Sequence, residues 1–358
     1  MPDGKLILAI NPGSTSTKIA IYEDAVQRFR ADIEHPAADL AKYPTVASQY
    51  EMRKQTVLDT LKKSGIDSDR LDAIATRGAP LPPLQGGAYR INDRMVDRLI
   101  HRPVYEHASN VAPIIGFELG RKLGIPAYIY DGITVDELCD EARFSGMPAL
   151  PRRVIAHVLN MRAQARKVAD KIGKPYDSAT FIVTHLGGGI TSAVHKAGRM
   201  IDIVSDDEGP FSPERAGAVP CAPLIDLCYS GDYSFQAMRR MLRGQGGLIA
   251  YTGTSSAVEV ERRIAAGDGD AERVYRAMAY QVAKSIGELA TVVSGAVDVI
   301  VLTGGMAHSR LLTGWIVERV RFIAPVEILA GENELESLAF GIRRVLQGQE
   351  IAREYDLD

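Results

Sequence analysis

Two stretches of this chain share one plan, and that plan limits the fold more than any other feature. AINPGSTSTKIAI begins at Ala9 and VTHLGGGITSAVH at Val183, with Gly13 over Gly187 and Asn11 over His185. Each reads as an apolar strand, a turn of glycine and hydroxyl residues, and a second apolar strand. Two copies of one supersecondary unit predict a duplicated α/β domain with a cleft between the copies. Taken alone, a chance recurrence of a short hairpin fits the match equally well. At 358 residues there is room for two domains with their own cores.

The hydrophobic pattern predicts strands over 5–11, 17–23 and 26–33, a helix over 37–64 and a short buried strand over 72–77. The Pro- and Gly-rich 78–89 reads as loop. Helices follow over 93–101 and 109–123, stopped by Gly124, and then the strand AYIYD over 127–131. In the second half a helix is expected over 151–173, three strands within 181–205 and helices through 222–295. A strand over 297–305, a helix over 309–322, a strand over 326–330 and a helix over 334–348 complete the chain. The expected domains are 1–153 with 333–358, and 154–332.

Composition narrows the function classes. A formal charge of −3 gives no electrostatic case for nucleic acid or an anionic membrane as the main partner. Three cysteines without a CxxC pair fit a reducing cytoplasm better than a disulfide framework or a zinc site. No signal peptide or membrane span is expected, because LILAI runs directly into polar residues and Pro-Gly.

A turn of hydroxyls and glycine offers backbone N–H groups, Oγ donors and little bulk, which suits phosphate oxygens approaching the backbone closely. Gly13, Ser14 and Ser16 form the first turn, with Lys18 on the strand that leaves it; Gly187, Gly188 and Gly189 form the second. Neither is a Walker loop or a dinucleotide fingerprint, since a strand and not a helix follows. One such turn reads as a polar hairpin tip. Two, with the third glycine turn at Gly304 and Gly305, favour nucleotide phosphates.

INPGSTSTKIAIY resembles the first phosphate motif of the acetate kinase family, within the superfamily of actin, chaperone ATPases and sugar kinases. THLGGGIT is similar to its second phosphate motif and VIVLTGGMAHS to its adenosine motif. PAYIYDGITVDEL, EGPFSPERAG and GENELESLAFG extend the likeness over nearly the whole chain, and the last three, with GGMAHS, look like the butyrate kinase branch. The resemblance implies a duplicated two-domain actin-like, ribonuclease H-like ATPase fold with mixed sheets flanked by helices. It also implies reversible transfer of a phosphoryl group between ATP and a short-chain carboxylate, giving ADP and an acyl phosphate, with Mg2+. Butanoate is the leading acid; isobutyrate, other branched acids, propionate and acetate are the near alternatives. A homo-oligomer is implied in the same way. A non-catalytic sensor on this fold is the alternative of another class.

The resemblance also assigns residues. Arg77 and Arg215 match the two arginines at the substrate and moving phosphoryl; without the resemblance Arg77 reads first as a solvated surface charge. Asp131 ends a strand, the usual place for a catalytic acid on an α/β sheet, and reads otherwise as a helix cap. By resemblance it sits beside the phosphoryl and helps place Mg2+, as does Asn11. His185 matches the histidine of the second phosphate motif, His157 a second one at the phosphoryl, and His107 a third. Gly304 and Gly305 match the adenosine turn. GGMAHS lacks the glutamate that acetate kinases carry there, so Glu332 is the candidate third metal residue, with capping of the last helix as its other reading. Gly78, Ala79 and Ala156 stand where room for a longer acid is expected.

Overall fold

The computed structural model describes residues 4–357. Its strands are β1 (Leu6–Pro12), β2 (Ser16–Glu23), β3 (Val26–Glu34), β4 (Ala73–Arg77), β5 (Ala88–Arg90) and β6 (Ala127–Tyr130), then β7 (Thr180–Leu186), β8 (Ile190–Lys196), β9 (Arg199–Val204), β10 (Val299–Gly304), β11 (Val326–Ala330) and β12 (Arg353–Glu354). The chain forms two compact units, residues 1–136 with 333–358, and residues 137–332.

The sheet of the first unit runs β12-β5-β6-β4-β1-β2-β3, and that of the second β11-β10-β7-β8-β9. The order β6-β4-β1-β2-β3 therefore repeats as β11-β10-β7-β8-β9. In both, the first hairpin is antiparallel and the inner pairs are parallel. The repeat extends to irregularities. A register shift between Ile21 and Tyr22 in β2 recurs between Val194 and His195 in β8. Asp24 at φ 50° after β2 is matched by Ala197 at φ 51° after β8. Such agreement at strained positions is not expected of a chance pair of hairpins.

Every residue of β1 and β10 is buried. Parallel strands covered on both faces need continuous apolar runs, which LILAI and VIVL supply. β3, at the sheet edge, has no buried residue and carries Arg and Asp side chains that discourage edge pairing. Helix Glu334–Leu346 belongs to the first unit, as expected: the Phe340 ring meets Tyr22 edge-on, and Gly341 lies against the Tyr130 ring.

Four expectations change. The helix over 37–64 is broken into Ala37–Leu40, a 3-10 turn at Ala47–Gln49 and the helix Tyr50–Lys63. Pro44 lies in the gap, where it lacks an N–H and pushes Tyr43 out of the helical region. Loop 78–89 ends in β5, which pairs with β6. The helix expected from 151 starts only at Val158. Before it, Arg152 reaches Ala142 O, Asp202, Ile203 O and Glu208, which ties the segment to β9 instead of letting it coil. For the same reason residues 137–153 group with the second unit, not the first: Cys139 N–H donates to Ile201 O, and Glu137 pairs with buried Arg162.

Candidate active site

In the first unit, Asn11, Arg77 and Asp131 stand at the C-terminal ends of three adjacent strands, β1, β4 and β6. Arg77 Nη1 lies 2.9 Å and 3.1 Å from the two carboxylate oxygens of Glu334 and 3.4 Å from Asn11 Oδ1. Asn11, almost fully buried, donates its amide to the same carboxylate. Glu334 is the first residue of its helix, where the positive end of the helix dipole favours a carboxylate. His107 caps a 3-10 turn, its Nδ1 accepting the Ser109 N–H at 3.2 Å. Burial first, then the charge of Arg77, lowers its pKa, with Glu334 opposing. It is therefore neutral at pH 7.

Asp131 is buried at φ 41°, a left-handed conformation that is uncommon for a residue with a Cβ. Its Oδ1 accepts the Gly87 N–H at 2.8 Å, and its own N–H donates to Gly87 O at 3.2 Å. No helix begins after it, so the capping alternative falls away. Gly78 has a different job from the one expected: a Cβ there would meet the Gly132 backbone at 2.4 Å. Its missing side chain is filled by main chain, and Ala79 is packed into the core of the unit. Neither opens a pocket.

In the first phosphate turn, Gly13 N–H closes on Ser16 O at 2.8 Å. Ser14 is exposed, Ser16 buried, and Lys18 half-buried opposite Asn11. Lys18 makes no ion pair among the described residues.

In the second unit, the rings of His157 and His185 stack in parallel, 3.8 Å between centroids and 9° apart. Asn160 fixes the tautomer of His185. Its Oδ1 takes a hydrogen bond from Gln164 at 3.2 Å, which turns its Nδ2 toward His185 Nδ1 at 2.9 Å and Thr303 Oγ1 at 3.2 Å. Nδ1 is thus the acceptor and Nε2 carries the proton, facing Glu332 Oε1 at 3.4 Å. His157 Nδ1 bonds Thr191 Oγ1 at 3.1 Å. Glu332 does not cap the last helix, whose N-cap position is Asn333.

Arg215 lies directly over the Gly187–Gly189 turn. A Cβ on Gly189 would fall on its guanidinium, and Ser212 Oγ donates to Gly188 O at 2.6 Å. Its counter-charge is the buried Asp206, which also holds Arg243 at 2.7 Å. Burial, then the charge of Arg243, lowers the Arg215 pKa to about 10, leaving it protonated at neutral pH. Gly304, at φ 89°, abuts the end of β7: a Cβ would come within 2.4 Å of Leu186 O. The adenosine turn and the second phosphate turn are thus in backbone contact. His308, in the GGMAHS stretch, is exposed. Elsewhere in this unit a cavity of about 770 Å3 is lined by Phe211, Met241, Tyr251 and Arg273 among others, and by none of the residues assigned from the motifs.

Among the described residues no three His, Cys, Asp or Glu side chains converge as a protein-only metal cage would require. Mg2+ bound with a nucleotide needs only one or two carboxylates, the rest being phosphate oxygens and water. The donor set Asn11, Asp131 and Glu334 is of that chemistry. Glu334, Asp206 and Asn160 were not singled out from the sequence. GENELESLAFG carries Glu334 two residues beyond Glu332, so the signal was present in the motif.

Residues 150–323 match the Acetokinase family. The chain superimposes on acetate kinase from Porphyromonas gingivalis with a TM-score of 0.79 at 18% identity, covering 96% of this chain and 100% of that one. A propionate kinase from Francisella tularensis gives 0.75 at 17%, covering 94% and 98%. A ROK hexokinase from Thermus thermophilus gives 0.52 at 15%, covering 96% and 99%. The protein has the α/β two-domain actin-like ATPase fold, with mixed sheets flanked by helices. No described helix is long and apolar enough to cross a membrane.

Proposed function

We propose that the protein is a carboxylate kinase that catalyses butanoate + ATP ⇌ butanoyl phosphate + ADP. The observation that carries this reading is Arg77, held at the end of β4 by Glu334 and Asn11, in a chain whose second unit presents Arg215 over a glycine turn. Match to the Acetokinase family over 150–323 supports it. In such a transfer a carboxylate oxygen of the acid attacks the γ-phosphorus, the bond to the ADP oxygen breaks, and ADP leaves. The two arginines neutralise the carboxylate and the moving phosphoryl, and His185, its Nε2–H facing Glu332, lies against Gly187 of the second glycine turn. Mg2+ would neutralise β- and γ-phosphate charge, on the side of Asn11, Asp131 and Glu334. Glu332 orients His185 instead.

The 1–136 unit with 333–358 would take the phosphoryl at Arg77 and Asn11, and the 137–332 unit the nucleotide, its phosphates at Gly187–Gly189 and adenosine at Gly304 and Gly305, and the alkyl end of the acid at Ala156. A homo-oligomer in the cytoplasm belongs to the same proposal.

The acid is read from Ala156, buried immediately before the stacked His157. By resemblance a phenylalanine stands there in acetate kinases, and an alanine leaves room for added methylenes. Each buried methylene contributes about 0.8 kcal/mol, so two favour butanoate over acetate by roughly tenfold in kcat/KM. Hydroxamate trapping of acyl phosphate with acetate, propionate, butanoate and isobutyrate measures this. Ala156→Phe should shift preference toward acetate. Equal kcat/KM for acetate and butanoate in the wild type would sink the pocket argument and leave the kinase standing.

A further inference from the structure

Arg53, in helix Tyr50–Lys63, is fully buried and has no carboxylate partner among the described residues. Its Nη1 donates to Ser16 O at 2.8 Å and Thr17 Oγ1 at 3.1 Å, its Nη2 to Ser14 O at 3.1 Å, and its Nε to Gln49 Oε1 at 3.0 Å. Every acceptor is neutral. The neighbouring His35 shares a 2.8 Å hydrogen bond with Thr17 Oγ1; imidazole cannot supply a counter-anion, and burial followed by the Arg53 charge lowers its pKa, which disfavours a second cation there. Burial alone lowers the Arg53 pKa from its ordinary value, and the group stays charged at pH 7. A buried charge without an opposite charge is costly and rare.

The acceptors say what the charge is for. Arg53 takes the carbonyls of Ser14 and Ser16, and the His35 N–H takes that of Thr15 at 2.7 Å. Three consecutive turn carbonyls therefore point inward. Among the described residues the N–H groups of Ser14 and Thr15 have no protein acceptor, and both residues are exposed. Outward N–H groups with a cation behind them make an anion-binding concavity. The second turn differs, since Arg215 there already has Asp206.

We propose that Arg53 is the positioning residue of the first phosphate turn: by holding the Ser14 carbonyl inward it aims the Thr15 N–H of the same peptide outward, and the phosphate bound there supplies its missing counter-charge. This rests on the phosphate reading of the turn given above. Arg53 touches no substrate; it acts through the turn.

The test compares wild type, Arg53→Met and Arg53→Lys by thermal melting with and without inorganic phosphate, and by ATP kinetics. Phosphate should raise the wild-type melting temperature. Arg53→Met should lose most of that rise and increase the KM for ATP by about tenfold or more, the scale of a charge-assisted contact. Arg53→Lys should recover part of both. No phosphate-induced rise in the wild type, or a wild-type rise and KM in Arg53→Met, would overturn the proposal. If Arg53→Met does not fold, Arg53→Gln replaces it. Failure of both neutral variants to fold would overturn it too, because the charge would then serve the fold alone. An Arg53-dependent phosphate effect in a protein that makes no acyl phosphate would reject the kinase reading and keep this one. An active enzyme with an indifferent Arg53→Met would do the reverse.

Discussion

Arg77→Ala should lower the turnover of acyl phosphate formation by two orders of magnitude or more, with ADP affinity nearly unchanged. Loss of one preorganised charge-stabilising donor costs about that much in transfer reactions. The geometry adds a second reason. Removing the guanidinium leaves Glu334, about one-fifth exposed, with only the Asn11 amide, so the carboxylate loses the partner that holds it. Arg77→Lys keeps the charge but not the rigid guanidinium whose Nη1 meets both Glu334 oxygens and Asn11 Oδ1, and should recover only part of the turnover. Kinetics by hydroxamate trapping and ADP binding by calorimetry decide the matter. Near wild-type turnover in Arg77→Ala would make Arg77 a surface residue with a structural ion pair.

Arg215→Ala should be as damaging to turnover, and it should also lower the melting temperature. Asp206 is almost fully buried and shared between Arg215 and Arg243. Taking Arg215 away leaves the carboxylate paired with Arg243 through Oδ1 but its Oδ2 without an ion pair, at a cost of about 1–3 kcal/mol, less than for a buried charge losing its whole partner. Asp206→Asn separates the two effects: it should cost stability while Arg215 remains over Gly189, so its turnover should fall less than that of Arg215→Ala. If Arg215→Ala melts lower but turns over normally, Arg215 only braces the glycine turn.

Features set by local chemistry were legible in the sequence. The hairpins at Asn11–Lys18 and His185–Thr191 are written in adjacent residues, and Gly124 ends its helix in the left-handed conformation expected of it. The buried strands β1 and β10 announce themselves as continuous apolar runs. What was hidden depends on distant partners. Glu334 meets Arg77 across 257 positions, and nothing local to either residue reveals the pairing. Arg53 looks like one more charge on an amphipathic helix until its four acceptors are seen. Gly78 shows the opposite error: a small residue read as space is occupied by the backbone of Gly132. The break at Pro44 was legible by rule and was overrun by the helical pattern around it.

The structural neighbours that share the fold include acetate and propionate kinases and a ROK hexokinase. Phosphorus NMR of the wild-type protein with ATP, Mg2+ and either butanoate or a panel of hexoses separates them. The account predicts an acyl phosphate signal that grows with butanoate as ADP appears, and none with the sugars. A sugar phosphate signal without any acyl phosphate would contradict it.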